Sequence, residues 1–218
     1  MFRGVPPESH GVLGNTMAAS ALRYPSIMDV AHQAGLRTAM FYSWGELRDL
    51  AAPDSVSLGY CRAFSFDEDT DAIVCRTAAE YLIAEQPDLT LVYFASPDLV
   101  GHSEGWMSRP YLRAIEHTDA SIGDLFQTLE RAGLRNHFTI LTLADHGGHG
   151  HEHGSAQAED LTIPWILSGP GIRRHHAIQT PIAIYDTAPT LAHLLDVSFP
   201  EIWTGQPVYE ALADGGGQ

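Results

Sequence analysis

Two short segments, each set directly behind an apolar, strand-like run, constrain this chain more than anything else in it. The first, Asp98-Leu-Val-Gly-His102, follows the run at residues 89–95. The second, Asp145-His146-Gly-Gly-His149-Gly-His151-Glu-His153-Gly154, follows the run at residues 138–144. Carboxylates and imidazoles at the carboxyl ends of neighbouring strands are where an open α/β sheet places its ligands. A chain built this way is expected to bring both segments to one edge of a sheet.

Strand and helix signals alternate along the rest of the sequence. Residues 24–34 carry Pro25 near their start and Gly35 just past their end, the asymmetry of a helix. Residues 38–44 read as a short buried strand, and 51–66, with mixed signals, as a loop or small excursion. Residues 69–85 are helical in pattern, with Asp67, Glu68 and Asp69 suited to the positive amino end and Pro87 just beyond the stop. Residues 89–95, 138–144 and 163–167 are strand runs. Residues 109–132 form a long helix that opens at Pro110 and closes at Gly133. Its Leu112, Ile115, Ile122, Leu125, Phe126 and Leu129 share a face expected to be buried. A short helix at 187–195, with Asp186 as its cap and Pro189 in its first turn, completes the pattern. This alternation implies an α/β fold of three layers, αβα, around a mostly parallel central sheet. No linker or repeat divides the chain, so residues 1–213 are expected to form one domain and 214–218 a frayed tail.

Composition narrows the function classes. At 218 residues the chain can bury a substantial core. A formal charge of −15 argues against a general nucleic-acid-backbone binder, which needs a basic face. It does not exclude a phosphate-containing substrate, because bound divalent cations reverse the local potential. Cys61 and Cys75 form neither a disulfide framework nor a metal-ligand pair, and read as ordinary thiols. No stretch reaches the roughly 18 apolar residues of a membrane span. The opening Met1-Phe-Arg-Gly-Val-Pro-Pro lacks the apolar run of a signal peptide. As it stands the chain reads as cytoplasmic, and a leader upstream of Met1 would change that. Oligomeric state is not legible.

Aspartate and histidine ligands with a histidine-rich loop suit zinc, or manganese where carboxylates are numerous. Asp98 and His102 lie four apart across Gly101, and a turn after the strand would let them converge. Asp145 and His146 are adjacent and need an irregular strand end, which Gly147 and Gly148 permit. One Asp–His pair alone is weak evidence; two at strand ends beside a third histidine cluster are strong. The plainer readings make Asp98 a helix cap, His149 and His151 surface or supporting residues, His10 structural, Asp119 a helix-surface residue, and His175 and His176 exposed turn residues.

On these residues the chain resembles the alkaline phosphatase superfamily, and most closely its type I phosphodiesterase/nucleotide pyrophosphatase branch. The resemblance is carried by Ser96-Pro-Asp98-Leu-Val-Gly101-His102, Ala144-Asp145-His146-Gly147-Gly148, His153-Gly154 with Thr162-Ile-Pro164-Trp, and Asp186-Thr-Ala-Pro189-Thr. The opening Gly4-Val-Pro-Pro-Glu-Ser-His10-Gly11-Val-Leu-Gly-Asn15 matches as well. The resemblance implies an alkaline-phosphatase-like fold and two divalent ions, zinc first and manganese second. Asp98, His102 and His153 would hold one ion, Asp145 and His146 the other, with His153 preferred to His149 and His151 because it precedes glycine and leads into the Ile-Pro strand. Asn15 would contact a phosphoryl oxygen. The implied substrate is a small-molecule phosphate ester, most closely a phosphodiester or nucleotide-type pyrophosphate, cleaved through a hydroxyl nucleophile and a covalent phosphoryl intermediate.

The sequence departs from that family at its amino end. Family members open with a strand ending in a metal-binding Asp and then a Thr or Ser nucleophile, both ahead of the segment that starts here at Gly4. Ser9 and Thr16 stand on the wrong side of the motif to replace the nucleophile. The expectation is a family member whose first strand, nucleophile and one ligand of the second ion lie before Met1, as in a truncated gene model. Such a chain is expected to show little turnover of an aryl phosphodiester and marginal stability. A phosphomonoesterase, phosphonate hydrolase or phosphomutase relative is the alternative among enzymes; a non-catalytic metal-binding remnant is the alternative outside them.

Overall fold

Strand β1 (Thr38–Tyr42) is buried along its whole length, and its alternating side chains divide the core in two. Ala39 and Phe41 point to one face, where they pack with Val74 and Ala78 of helix α3 (Thr70–Glu85). Met40 and Tyr42 point to the other, with Leu50 and with Met28 of helix α2 (Ile27–Gln33), which follows the short helix α1 (Pro7–His10). The chain is described by a computed structural model at residues 1–15, 21, 23–66 and 69–213. Asp67, Glu68 and the tail expected at 214–218 therefore lie outside the described residues, as does Thr16.

β1 pairs in parallel with β2 (Leu58–Cys61) on one side and β3 (Leu89–Tyr93) on the other. With α2 and α3 on opposite faces, this is the layered α/β arrangement expected from the sequence. β2 places a strand within 51–66, the stretch whose mixed signals read as a loop or small excursion. It is an edge strand of Leu-Gly-Tyr-Cys whose glycine offers no side chain to pack, so its local signal is weak and its parallel partner supplies the rest. Helix α2 starts two residues later than its Pro25 suggested, because Ser26 and Asp29 close a reciprocal capping box. Its other flank packs Ile27 and Val30 on Ala188 and Ala192 of helix α7 (Thr187–Leu194) and on Trp203.

This three-stranded sheet is parallel throughout, and the remaining two strands lie outside it. β4 (Ile140–Leu143) and β5 (Trp165–Ser168) form an antiparallel pair of their own. β3 and β4, which precede the two ligand-like segments, each have one strand neighbour among the described residues, and both are half-buried where β1 is fully buried. Helix α5 (Arg109–Arg131) departs from expectation in the same sense. Only Leu129 of its apolar stripe is buried, and Leu112 and Ile115 are exposed. The helix packs on α3 and on helix α4 (Ser96–Glu104), and its other buried residues are the small Ala114 and Ser121. Asp186 also behaves differently from a cap. Its carboxylate accepts from the N–H groups of Ala183 and Gln206, at 2.8 and 2.9 Å, and so ties the carboxyl-terminal segment to the start of α7. Cys61 and Cys75 are free thiols, and burial pushes Cys75 up to about 12. No helix among the described residues is long and apolar enough to cross a membrane.

Candidate metal centre

Asp98 and His102 stand one turn apart on α4, not on a turn after the strand as the sequence suggested. Pro97 opens that helix, and the i,i+4 spacing turns both side chains to one side. The helix is held in place from outside its own sequence. Asp71, buried in α3, accepts from the N–H groups of Ala95 and Ser96 at 3.2 and 3.1 Å and from the Ser43 hydroxyl at 3.3 Å. Burial raises the Asp71 carboxyl despite these bonds. Nothing in the sequence marks Asp71 as part of the site, since its partners lie about one helix and one strand away.

The second segment runs from the end of β4 into a tight hairpin, in which His149 and Glu152 exchange backbone hydrogen bonds across Gly150 and His151. Two reciprocal bonds lock this hairpin to α4. His102 Nδ1 donates to the carbonyl of His151 at 2.9 Å, and His151 Nδ1 donates to the carbonyl of His102 at 3.0 Å. A carbonyl can only accept, so His102 carries its proton on Nδ1 and turns the Nε2 lone pair inward. His146 likewise donates from Nδ1 to the Gly147 carbonyl at 2.8 Å.

These lone pairs converge on one atom. Asp98 Oδ1 lies 3.5 Å from His102 Nε2, 3.8 Å from His146 Nε2 and 3.8 Å from His153 Nε2. It is shut off from solvent and accepts no hydrogen bond. A buried acceptor without a donor is costly, and facing ring lone pairs makes it more so unless a cation lies between them. Ligands about 2 Å from a tetrahedral ion are themselves about 3.3 Å apart, close to the spacing here. Asp98, His102 and His153 form a group able to hold such an ion, their ligand atoms all within 4.8 Å of one another. His146 stacks on His153 with ring centroids 3.7 Å apart, and its Nε2 also lies 3.8 Å from Asp145 Oδ2. It thus stands between Asp98 and Asp145 and faces both.

The surroundings keep the ligands ready. Burial first and His146 second lower the proton affinity of His153. Burial foremost, with Asp145 and Asp98 adding to it, raises the Tyr93 hydroxyl. Trp106 wedges its indole edge against His102, at 5.0 Å between centroids, and packs beside His153 at 5.8 Å. Its backbone N–H donates to Gly150, and its ring fills the space where a Cβ on Gly101 or Gly148 would stand, 2.7 and 2.2 Å from Cε2. A Cβ on Gly147 would come within 1.9 Å of the Glu159 carbonyl. Gly147→Ala is therefore expected to push the segment off α4, costing roughly 1–3 kcal/mol of stability by overpacking together with metal uptake. An unaltered melting midpoint and metal content would contradict that packing.

Asn15 sits exposed at a bend and joins none of these residues by a hydrogen bond. His10 accepts from the Val12 N–H at 3.1 Å. Asp119 is exposed on α5, and His176 meets Glu210 at 3.0 Å.

Comparisons with known proteins give the family and the fold. A family model described as type I phosphodiesterase/nucleotide pyrophosphatase matches residues 1–161. The chain is 30% identical over 173 residues to a 2,3-bisphosphoglycerate-independent phosphoglycerate mutase of Natronomonas pharaonis, covering 76% of this chain and 32% of that protein. It is 25% identical over 162 residues to venom phosphodiesterase 2 of Crotalus adamanteus, covering 66% and 20%. It thus spans about a fifth to a third of the length of these two relatives. The fold is shared with human ectonucleotide pyrophosphatase/phosphodiesterase 5, at a TM-score of 0.70 and 15% identity over 91% of this chain and 82% of that one. The chain belongs to the type I phosphodiesterase/nucleotide pyrophosphatase family, on the alkaline-phosphatase-like fold.

Proposed function

We propose that the chain carries the divalent-metal centre of a phosphoryl-transfer hydrolase whose substrates are small phosphodiesters or nucleotide-type pyrophosphates. The observation that carries this reading is the orphaned, solvent-shielded Asp98 Oδ1 ringed by the Nε2 atoms of His102, His146 and His153. Asp98, His102 and His153 hold one ion, zinc first and manganese second. Asp145 and His146 belong to a second ion, with His146 placed to face both. When bound, the ions would supply Lewis-acid polarisation of a phosphoryl oxygen and charge neutralisation at the leaving oxygen. The chain's own residues fix the direction of approach. His102 and His146 present unprotonated Nε2 atoms because their Nδ1 protons are committed to carbonyls. Asp145 and His146 line a cleft of about 880 Å³ with Trp165, Ile163, Ile182 and Ile184, apolar walls against which a substrate's non-reacting part would rest.

A second reading, a phosphomutase, is favoured by the likeness to the phosphoglycerate mutase. Calorimetric titration of the zinc-loaded protein separates the two. Inorganic phosphate is expected to bind, and binding is expected to vanish with a chelator or with Asp98→Asn. A nucleoside monophosphate binding more tightly than 3-phosphoglycerate supports the diesterase reading, and the reverse order supports the mutase. Phosphate binding indifferent to metal would contradict both and leave a non-catalytic remnant.

A further inference from the structure

We propose that Asp160 is a positioning residue for the metal centre, clamping both ends of the histidine segment so that His146 and His153 stay face to face. The proposal rests on the metal-centre reading above. Asp160 lies in the short helix α6 (Ala158–Leu161), 3% exposed, and a buried carboxylate persists only where donors surround it. Its two oxygens serve two different points of the segment. Oδ1 accepts from His149 Nδ1 at 2.7 Å, and Oδ2 accepts from the Ser155 N–H at 2.7 Å. Its own carbonyl accepts from the Gly147 N–H at 2.8 Å, and that of Glu159 accepts from the Gly148 N–H at 3.0 Å. Gly147 directly follows His146, and Ser155 lies two residues beyond His153, so the bonds bracket both rings.

The role of His149 follows from the same contacts. The hydrogen bond from His149 holds the Asp160 carboxyl down to about 2, so the carboxylate accepts and the His149 proton sits on Nδ1. The Gln157 amide then donates to His149 Nε2 at 2.9 Å. With both nitrogens engaged, His149 serves as a strut between hairpin and helix. Its Nε2 lone pair is taken up by Gln157, although its sequence spacing resembles that of a ligand.

Asparagine at 160 keeps the shape but accepts through one atom only, and it turns an amide N–H toward one of the two donors. Asp160→Asn and His149→Ala are each expected to weaken zinc binding by about 10- to 100-fold in chelator competition, the range for outer-shell partners of metal ligands. The absorption bands of the cobalt-substituted protein should shift with them. His149→Asn, whose amide nitrogen can take the place of Nδ1, should restore most of the affinity lost in His149→Ala. Amide exchange at Ser155 in metal-free Asp160→Asn should rise. If Asp160→Asn does not fold, the half-exposed His149 pair carries the test. Faster exchange at Ser155 with wild-type zinc affinity would reduce the clamp to a structural role and overturn the proposal, as would no change in either. Wild-type protein that takes up no zinc would instead overturn the metal-centre reading itself, taking the proposal with it.

Discussion

Replacing His102 with alanine is expected to strip the protein of its tightly held divalent ion. His102 brings one of three ligand atoms that converge on a single point, and its Nδ1 bond to His151 also joins α4 to the hairpin. Its loss leaves Asp98 and His153 with a looser hairpin between them. Outer-shell substitutions at metal sites cost about 10- to 100-fold in affinity, so loss of a ligand should exceed about 100-fold. Metal analysis after dialysis against a weak chelator should find about one zinc per wild-type molecule and almost none in His102→Ala. Unchanged content would mean that the ion is held elsewhere, with His149, His151, His175 and His176 the remaining imidazole clusters.

Zinc is also expected to raise the melting temperature, and Asp98→Asn should abolish that dependence. An ion that binds only the folded state at a hundred times its dissociation constant adds about 2.7 kcal/mol. At this chain length that corresponds to a shift of about 5–10 °C. In metal-free protein the Asp98 carboxylate faces three ring nitrogens with no donor between them, a strain that an asparagine N–H relieves. Asp98→Asn should therefore melt at or above the wild-type temperature in chelator, and should no longer respond to zinc. A wild-type melt indifferent to zinc, or an asparagine variant that responds as wild type does, would contradict this. The trade of apo stability for a functional cluster is common at such sites.

What the sequence made legible was the chemistry of the segments more than their local shape. Asp98 and His102 are visible as a spaced pair, yet they sit on a helix, because Pro97 opens a turn that a strand-end reading overlooks. β2 was missed since a glycine-containing edge strand takes its order from the neighbour it pairs with, and that neighbour is about twenty residues away in the chain. The stripe on α5 is apolar but only partly covered, since periodicity reports which face is apolar and not what packs on it. Asp71, Trp106 and Asp160 carried no motif. Each acts through hydrogen bonds or ring contacts set by tertiary structure, and a single buried aspartate in a helix looks the same in sequence whether or not it supports a site. Asp186 shows the converse: its Asp-Thr-Ala-Pro context resembles a helix cap, while the folded chain uses the carboxylate to hold Gln206.

The most direct test of the metal centre is an anomalous difference map, collected above and below the zinc edge from crystals of the zinc-loaded protein. The expected result is a peak about 2 Å from Asp98 Oδ1, His102 Nε2 and His153 Nε2, with any second, weaker peak beside Asp145 and His146. Zinc found only at His149, His151 or the His175–His176 turn, with the pocket around Asp98 Oδ1 holding none, would contradict it.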